Sequence, residues 1–230
     1  VATSRNLNVS ANLNVDVTIT NLNDNAPIFT SSATWNADEN QTAIGCVSVT
    51  DADSAPIPAP TPGQTTCSQP DGVTFTVSGD NLEISSDGRL AFTSAPDYET
   101  KSSYTGTVTA SDGVFTTDQA VTVNVNDLND NDPVVTSNTT FTVNENQTGV
   151  GQITVSDGDS NSSFTFAIVS DYEDGALFSI DADGVITFKA NANYETAGQY
   201  TIKVNISDGT NTVAQIFTIN LNDICEFDFN

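Results

Sequence analysis

Apolar and polar residues alternate with a period of two along much of this chain. In VTVNVN at 121–126 and YTIKVNI at 200–206 every second residue is apolar, and the positions between are Thr, Asn or Lys. That pattern gives one dry and one wet face and predicts β-strands, and the β-branched residues and Thr that dominate it suit a pleated surface. SSDGRL at 85–90 and DADGVI at 181–186 read as tight hairpin turns in which Gly supplies the positive φ. No stretch carries the period of a long amphipathic helix, and no apolar run approaches the roughly 20 residues that span a bilayer. Several short strands per roughly 100 residues predict an all-β chain of tandem immunoglobulin-like, antiparallel Greek-key β-sandwiches.

The alternation is itself repeated. TWNADENQT at 34–42 lines up with TFTVNENQT at 140–148, which sets Glu39 against Glu145, 106 positions on. The same offset carries DAD at 51–53 onto DGD at 157–159. Further along, PDYET at 96–100 meets ANYET at 192–196, and SDG at 111–113 meets SDG at 207–209, both at an offset of 96. The first repeat therefore has a net insertion of ten residues, which falls in the Pro-rich SAPIPAPTPGQTTCSQP at 54–70. We read 26–131 as one repeat with its linker and 132–224 as a second. Residues 1–25 read as the last strands and linker of a preceding repeat, and 225–230 as the start of a following one or a tail. The linkers are DLNDN at 127–131, NLNDN at 21–25 and NLNDI at 220–224.

Charge narrows the chemistry. The chain has 230 residues, with 30 Asp plus Glu against 5 Lys plus Arg and no His, for a formal charge of −25. Such an excess opposes nucleic acid and anionic lipid and favours multivalent cations. Without His, Ser-His-Asp and Cys-His catalysis are excluded, and no Gly-rich phosphate loop is present. Glu39 and Glu99 have the residue types of a glycosidase pair, but their place in an acidic constellation argues against that role. The three Cys form no C-x-x-C pair, which fits a secreted protein better than a thiolate metal site. A link between Cys46 and Cys67 would tether the Pro-rich insertion, whereas Cys225 has no partner in the chain. With no signal-peptide pattern at its start, the chain reads as a piece of a longer extracellular protein.

Taken in order, Asp/Asn-Glu-Asn, Asp-x-Asp, Asp-Tyr-Glu, Ser-Asp-Gly and Asp-x-Asn-Asp-Asn-x-Pro resemble the cadherin repeat, over nearly the whole chain. The resemblance implies that the last motif links successive domains and binds calcium with loops from both. It implies that Glu39, Asp97, Glu99, Asp127 and Asp130 surround two calcium ions. A third would take the side chain of Asn129, the backbone carbonyl of Asn131, and Asp157, Asp159 and Asp208. The backbone carbonyls of Leu128 and Asn161 would complete the shells. Calcium takes six to eight oxygen ligands and no sulfur or imidazole, and this chain offers Asp, Glu and Asn at predicted sheet ends.

The terminal linkers depart from that pattern. At the first, Asn21 replaces an Asp and Asn6 stands where Asp112 and Asp208 would be expected, leaving Asn23, Asn25, Asp51, Asp53 and Asp112, with Asp24 as a weaker candidate. At the last, Asn193 and Asn220 are read as replacing Asp, and Glu145, Glu195 and Asp223 remain as weaker candidates. Trp35 aligns with Phe141 and is expected in the core rather than as an exchanged anchor, and Tyr98 and Tyr194 are expected to pack at sheet corners. N-x-S/T sequons occur at Asn8, Asn40, Asn138, Asn146, Asn161 and Asn205.

The resemblance implies a calcium-dependent, non-enzymatic adhesion fragment at the cell surface. Its partners would be extracellular or cell-surface proteins, the same protein on another cell among them, with no nucleic acid and no direct membrane insertion. Two other classes stand beside this: the spacer of a large microbial surface adhesin, and a carbohydrate-binding module.

Overall fold

The structure, a computed structural model, describes residues 15–54, 67–160 and 163–225. In the first repeat the strands are β1 (Ile28–Phe29), β2 (Thr34–Asp38), β3 (Ala43–Cys46), β4 (Val49–Thr50), β5 (Thr74–Gly79), β6 (Leu82–Ile84), β7 (Arg89–Phe92), β8 (Ser103–Ser111) and β9 (Thr116–Asn126). The second has β10 (Val134–Val135), β11 (Thr140–Asn144), β12 (Gly149–Gln152), β13 (Val155–Ser156), β14 (Thr165–Ile168), β15 (Phe178–Ile180), β16 (Val185–Phe188), β17 (Gln199–Ser207) and β18 (Thr212–Asn222). Among the described residues the only helical element is the 3-10 turn Gly175–Leu177. The chain forms two compact units. One is built from the segments up to Ala33, Gly45–Ala91 and Gly106–Val121, the other from Thr34–Ile44, Phe92–Thr105 and the residues from Thr122 onward.

The second repeat shows how the alternation becomes a sandwich. One sheet has the order β11-β18-β17-β14, the other β12-β16-β15, and β10 pairs with β13. Along β17, Tyr200, Ile202, Val204 and Ile206 are buried, and along β18, Phe217, Ile219 and Leu221. They meet Val150, Phe178, Ile186 and Phe188 from the facing sheet, and Ile153 just after β12, in one core. Full burial of such side chains stabilises by roughly 1.5–3 kcal/mol each. The rings of Phe178, Phe188 and Tyr200 pack against one another, with centroids 4.3 to 5.8 Å apart. The first repeat has the matching orders β2-β9-β8-β5, β3-β7-β6 and β1-β4.

Each repeat contains one departure from a purely antiparallel sandwich. β2 runs parallel to β9 and β11 parallel to β18, because the first long strand of each repeat joins the sheet beside the last. The parallel registers pair Asp38 with Asn126 and Asn144 with Asn222, the last residue of each strand. These pairings fix where each linker starts.

The Asp-Gly turns are where the sequence places them. Gly88 and Gly184 adopt φ of 85° and 79°, and their N–H groups donate to Ser85 and Asp181 carbonyls. A Cβ on Gly184 would lie 2.9 Å from the Ile153 carbonyl, so both φ and space demand glycine there. Trp35 is half-buried on β2 opposite Val123, as its counterpart Phe141 is on β11, where it packs against Phe217. Of the two corner tyrosines, Tyr194 is 39% exposed, less enclosed than expected.

The N-terminal segment differs from its counterpart in the first repeat. Residues 15–24 form no strand, and Val15, Val17 and Ile19 are 70, 79 and 91% exposed. Their counterparts Val121, Val123 and Val125 in β9 are buried because β9 is flanked by β2 and β8. No described strand pairs with 15–24, so its alternation has no ladder to hold it.

Candidate metal centre

The linker after β9 lies among carboxylates from five segments of one compact unit, its own included. Glu39 follows β2, Glu99 lies in the turn before β8, Asp127 and Asp130 follow β9, and Asp157, Asp159 and Asp208 come from loops of the second repeat. Three triads have ligand oxygens within 4.8 Å of one another: Glu39–Glu99–Asp127, Glu99–Asp130–Asp159 and Asp157–Asp159–Asp208. Glu99 and Asp159 each belong to two of them.

Backbone N–H groups hold the triads in place. Glu39, 2% exposed, accepts from Tyr98 N at 2.7 Å through Oε2 and from Leu128 N at 2.7 Å through Oε1. It thereby ties the Asp-Tyr-Glu turn to the linker. Asp127 accepts from Ser160 N at 2.8 Å. Asp159 accepts from Asn131 N at 3.0 Å and Asn131 Nδ2 at 2.8 Å, while Asp157 Oδ1 accepts from Asp159 N at 3.2 Å. Asp208 Oδ1 caps its own turn by accepting from Thr210 N and Asn211 N at 2.7 and 2.6 Å.

The electrostatics are those of crowded like charges. Loss of water, and then the neighbouring charges of Glu39 and Asp127, push the Glu99 carboxyl above the ordinary range. Burial works the same way on Asp159, but the Asn131 amide and N–H outweigh it and hold that carboxyl below its usual value. Two buried oxygens in the third triad, Asp157 Oδ2 and Asp208 Oδ2, have no hydrogen-bond partner. Buried carboxylate oxygens without donors are costly unless a cation faces them, and an oxygen-only set suits a hard cation such as calcium.

Not every candidate joins a triad. Asp97 turns its carboxylate to Thr100 N and Oγ1, at 3.1 and 3.0 Å, and those bonds lower its pKa. It still lines a cleft of about 210 Å³ with Glu39, Asn40, Glu99, Asp130 and Asn131. Asn129 donates through Nδ2 to the Asp208 carbonyl at 3.4 Å. Leu128 contributes its N–H to Glu39. Asn161, and the sequon at Asn8 with Asn6 near it, lie outside the described residues. Two contributors were missed from sequence. Asn40 donates through Nδ2 to Asp130, and Asn211 donates through Nδ2 to the Asn131 carbonyl at 2.7 Å. The exact recurrence of Glu-Asn-Gln-Thr at 39–42 and 145–148 was the available signal for Asn40.

The N-terminal linker reproduces the downstream half of this arrangement, within the other unit. Asp53 Oδ2 accepts from Asp24 N and Asn25 N at 2.9 and 2.7 Å, Asp53 Oδ1 accepts from Asn25 Nδ2 at 3.0 Å, and Asp51 Oδ1 accepts from Asp53 N at 2.8 Å. Asn23 donates to the Asp112 carbonyl at 3.4 Å. Asn23 Oδ1 and Asp112 Oδ2 are buried without partners. Asp51, Asp53 and Asp112 do not form one of the tight triads. Phe115 stands where Asn211 stands in the second repeat, so the donor to the linker carbonyl is lost.

At the C-terminal end the structure corrects the alignment. Glu145, Glu195 and Asp223 form a triad, and Glu145 accepts from Tyr194 N and Ile224 N, both at 2.8 Å. These bonds match those of Glu39 with Tyr98 and Leu128, so Asp223 corresponds to Asp127 rather than Asp130. Asn220 lies inside β18 and replaces no linker Asp; its Oδ1 accepts from Gln199 Nε2 at 2.9 Å. The replacement of Asp97 by Asn193 stands, since Asn193 Oδ1 accepts from Thr196 N and Oγ1 as Asp97 does from Thr100. Cys225 falls at the position of Asn129 and is an exposed free thiol, whereas Cys46 and Cys67 form a disulfide with Cα atoms 5.6 Å apart.

Fold and clusters together define a chain of tandem β-sandwiches with oxygen-only acidic sites in their loops. Residues 139–222 match the family model described as Cadherin domain. Protocadherin gamma-A2 of Pan troglodytes is 34% identical over 238 residues, covering 91% of this chain and 24% of that protein. Cadherin EGF LAG seven-pass G-type receptor 2 of Mus musculus is 30% identical over 215 residues, covering 87% of this chain and 7% of that protein. The crystal structure of human Protocadherin-24 EC1-2 has the same fold, with a TM-score of 0.67 at 20% identity over 89% of this chain and 100% of that one. The chain belongs to the cadherin repeat family, whose members are non-enzymatic. It spans about a quarter or less of the length of the curated relatives named here. Among the described residues no helix is long and apolar enough to cross a membrane.

Proposed function

We propose that this chain is a calcium-stiffened segment of an extracellular, cell-surface adhesion protein, with 26–131 and 132–224 as successive domains. The observation that carries the reading is the middle linker, where seven carboxylates fall into three overlapping triads and two buried oxygens, on Asp157 and Asp208, lack any donor. Glu39, Glu99, Asp127 and Asp130, with Asp97 at the rim, would hold calcium on the upstream side. Asn129, the carbonyl of Asn131, and Asp157, Asp159 and Asp208 would hold it on the downstream side. Calcium would supply positive charge against these carboxylates. Three ions would bring +6 against the −8 of the eight acidic groups, in place of local repulsion. The protein's own residues do the positioning, through the N–H groups of Tyr98, Leu128, Ser160 and Asn131.

Contact with a partner would come from these or neighbouring domains, and a second copy on an opposing surface is a candidate partner. Beads coated with the chain test this directly. They should aggregate in millimolar calcium and disperse in chelator, and beads that stay dispersed in both would contradict an adhesive role for this segment.

A further inference from the structure

Asn40 sits at the mouth of the acidic cleft and opens the sequon Asn40-Gln41-Thr42. It is exposed and left-handed at φ 62°, a conformation Asn tolerates, and its N–H donates to the Pro96 carbonyl at 3.0 Å. The turn therefore fixes its direction, and its side-chain amide donates to the carboxylate of Asp130. Asp130 is one of three acids in the triad with Glu99 and Asp159.

We propose that Asn40 is an N-glycosylation site whose occupancy sets the calcium response of the middle linker. The inference rests on the calcium reading above. In the modification, Nδ2 would attack C1 of a lipid-pyrophosphate-linked oligosaccharide. The N–C1 bond forms, the C1–O bond to the lipid pyrophosphate breaks, and Nδ2 loses a proton as the pyrophosphate leaves. Unmodified, Asn40 acts as a positioning residue that aims the Asp130 carboxylate from outside the ligand shell. A sugar on Nδ2 leaves that nitrogen one N–H but sets a bulky group against the Asp130 carboxylate beside a cleft of about 210 Å³, which would disturb that contact. Asn205, by contrast, lies on the open face of β17, in register with Ala167 and Ala214.

The test compares three versions of the whole chain made in a glycosylating eukaryotic secretory line. Wild type keeps the sequon and the amide. Thr42→Ala loses the sequon but keeps the amide. Asn40→Gly loses both while preserving the left-handed backbone. Glycopeptide mass spectrometry reads occupancy at Asn40, and isothermal titration with calcium chloride reads affinity. Glycosylated wild type and Asn40→Gly should both bind calcium about 10- to 100-fold more weakly than Thr42→Ala, the effect typical of losing an outer-shell partner. An unmodified Asn40, or a glycosylated chain that titrates like Thr42→Ala, would overturn the proposal. If Thr42→Ala itself takes up no calcium, the calcium reading fails and this proposal with it.

Discussion

Glu39 and Glu145 do the same job one repeat apart. Each buries its carboxylate and accepts two backbone N–H groups, one from the tyrosine of a turn that recurs in both repeats (Tyr98, Tyr194) and one from the residue after the linker Asp (Leu128, Ile224). These glutamates are thus parts of the fold as well as candidate ligands. Glu39→Gln puts an amide N–H against one of those donors. We expect it to destabilise the metal-free chain by about 1–3 kcal/mol, the cost of an unmet buried donor. Urea unfolding in chelator measures this, and a change within error would mean the linker is not anchored through Glu39.

Glu99 predicts effects of opposite sign with and without metal. Its carboxyl is raised above 4.5 by burial and by Glu39 and Asp127, so the metal-free folded chain holds that proton more tightly than the unfolded chain does. Stability should therefore fall as pH rises through the window above 4.5. Glu99→Gln should remove that loss and stabilise the chain in chelator at neutral pH. With calcium present the order should reverse, because the substitution takes one carboxylate out of two triads. Thermal melts at several pH values, in chelator and in calcium, read both signs.

The disulfide should act mainly on the unfolded chain. Cys46 and Cys67 are 21 positions apart. Closing a loop of that size stabilises by about 3 kcal/mol in the chain-entropy account. The double substitution Cys46→Ala, Cys67→Ala should lower the urea midpoint accordingly and leave calcium binding unchanged, since neither sulfur belongs to a triad. A loss of calcium binding would tie the insertion to the N-terminal site.

Much of this was legible in the sequence, and one error shows where legibility stopped. The Asp-Gly turns could be placed because a positive φ demands Gly, and the strands because burial alternates. The C-terminal linker was misaligned by three residues because Asn-Leu-Asn-Asp at 220–223 resembles both Asp-Leu-Asn-Asp at 127–130 and Asn-Val-Asn-Asp at 124–127. Residue type could not choose between them. The ladder does, because Asn222 pairs with Asn144 as Asn126 pairs with Asp38. The role of Asn40 was hidden for a related reason, since a turn Asn and a donor Asn look alike until the partner carboxylate is in place.

The corrected alignment changes what the linker substitutions should do. Asp223 now stands for Asp127, so Asp223→Ala should abolish a C-terminal site that rests on one triad, and leave the middle linker intact. Asp130→Ala should weaken only the shared part of the middle linker and remove more total calcium affinity, because its triad overlaps both others through Glu99 and Asp159. Affinities near the roughly 10⁻⁴ to 10⁻³ M of extracellular modules are expected, with the middle linker tightest. Isothermal titration of the two variants distinguishes the sites, and equal losses would mean the triads do not bind as assigned.

The central claim is that calcium at the middle linker makes 26–131 and 132–224 move as one body. Small-angle X-ray scattering of the chain in millimolar calcium and in chelator tests it most directly. The account predicts a longer maximum dimension and a narrower, two-lobed distance distribution with calcium, and a broad, more compact average without it. The same distance distribution in both conditions would contradict it.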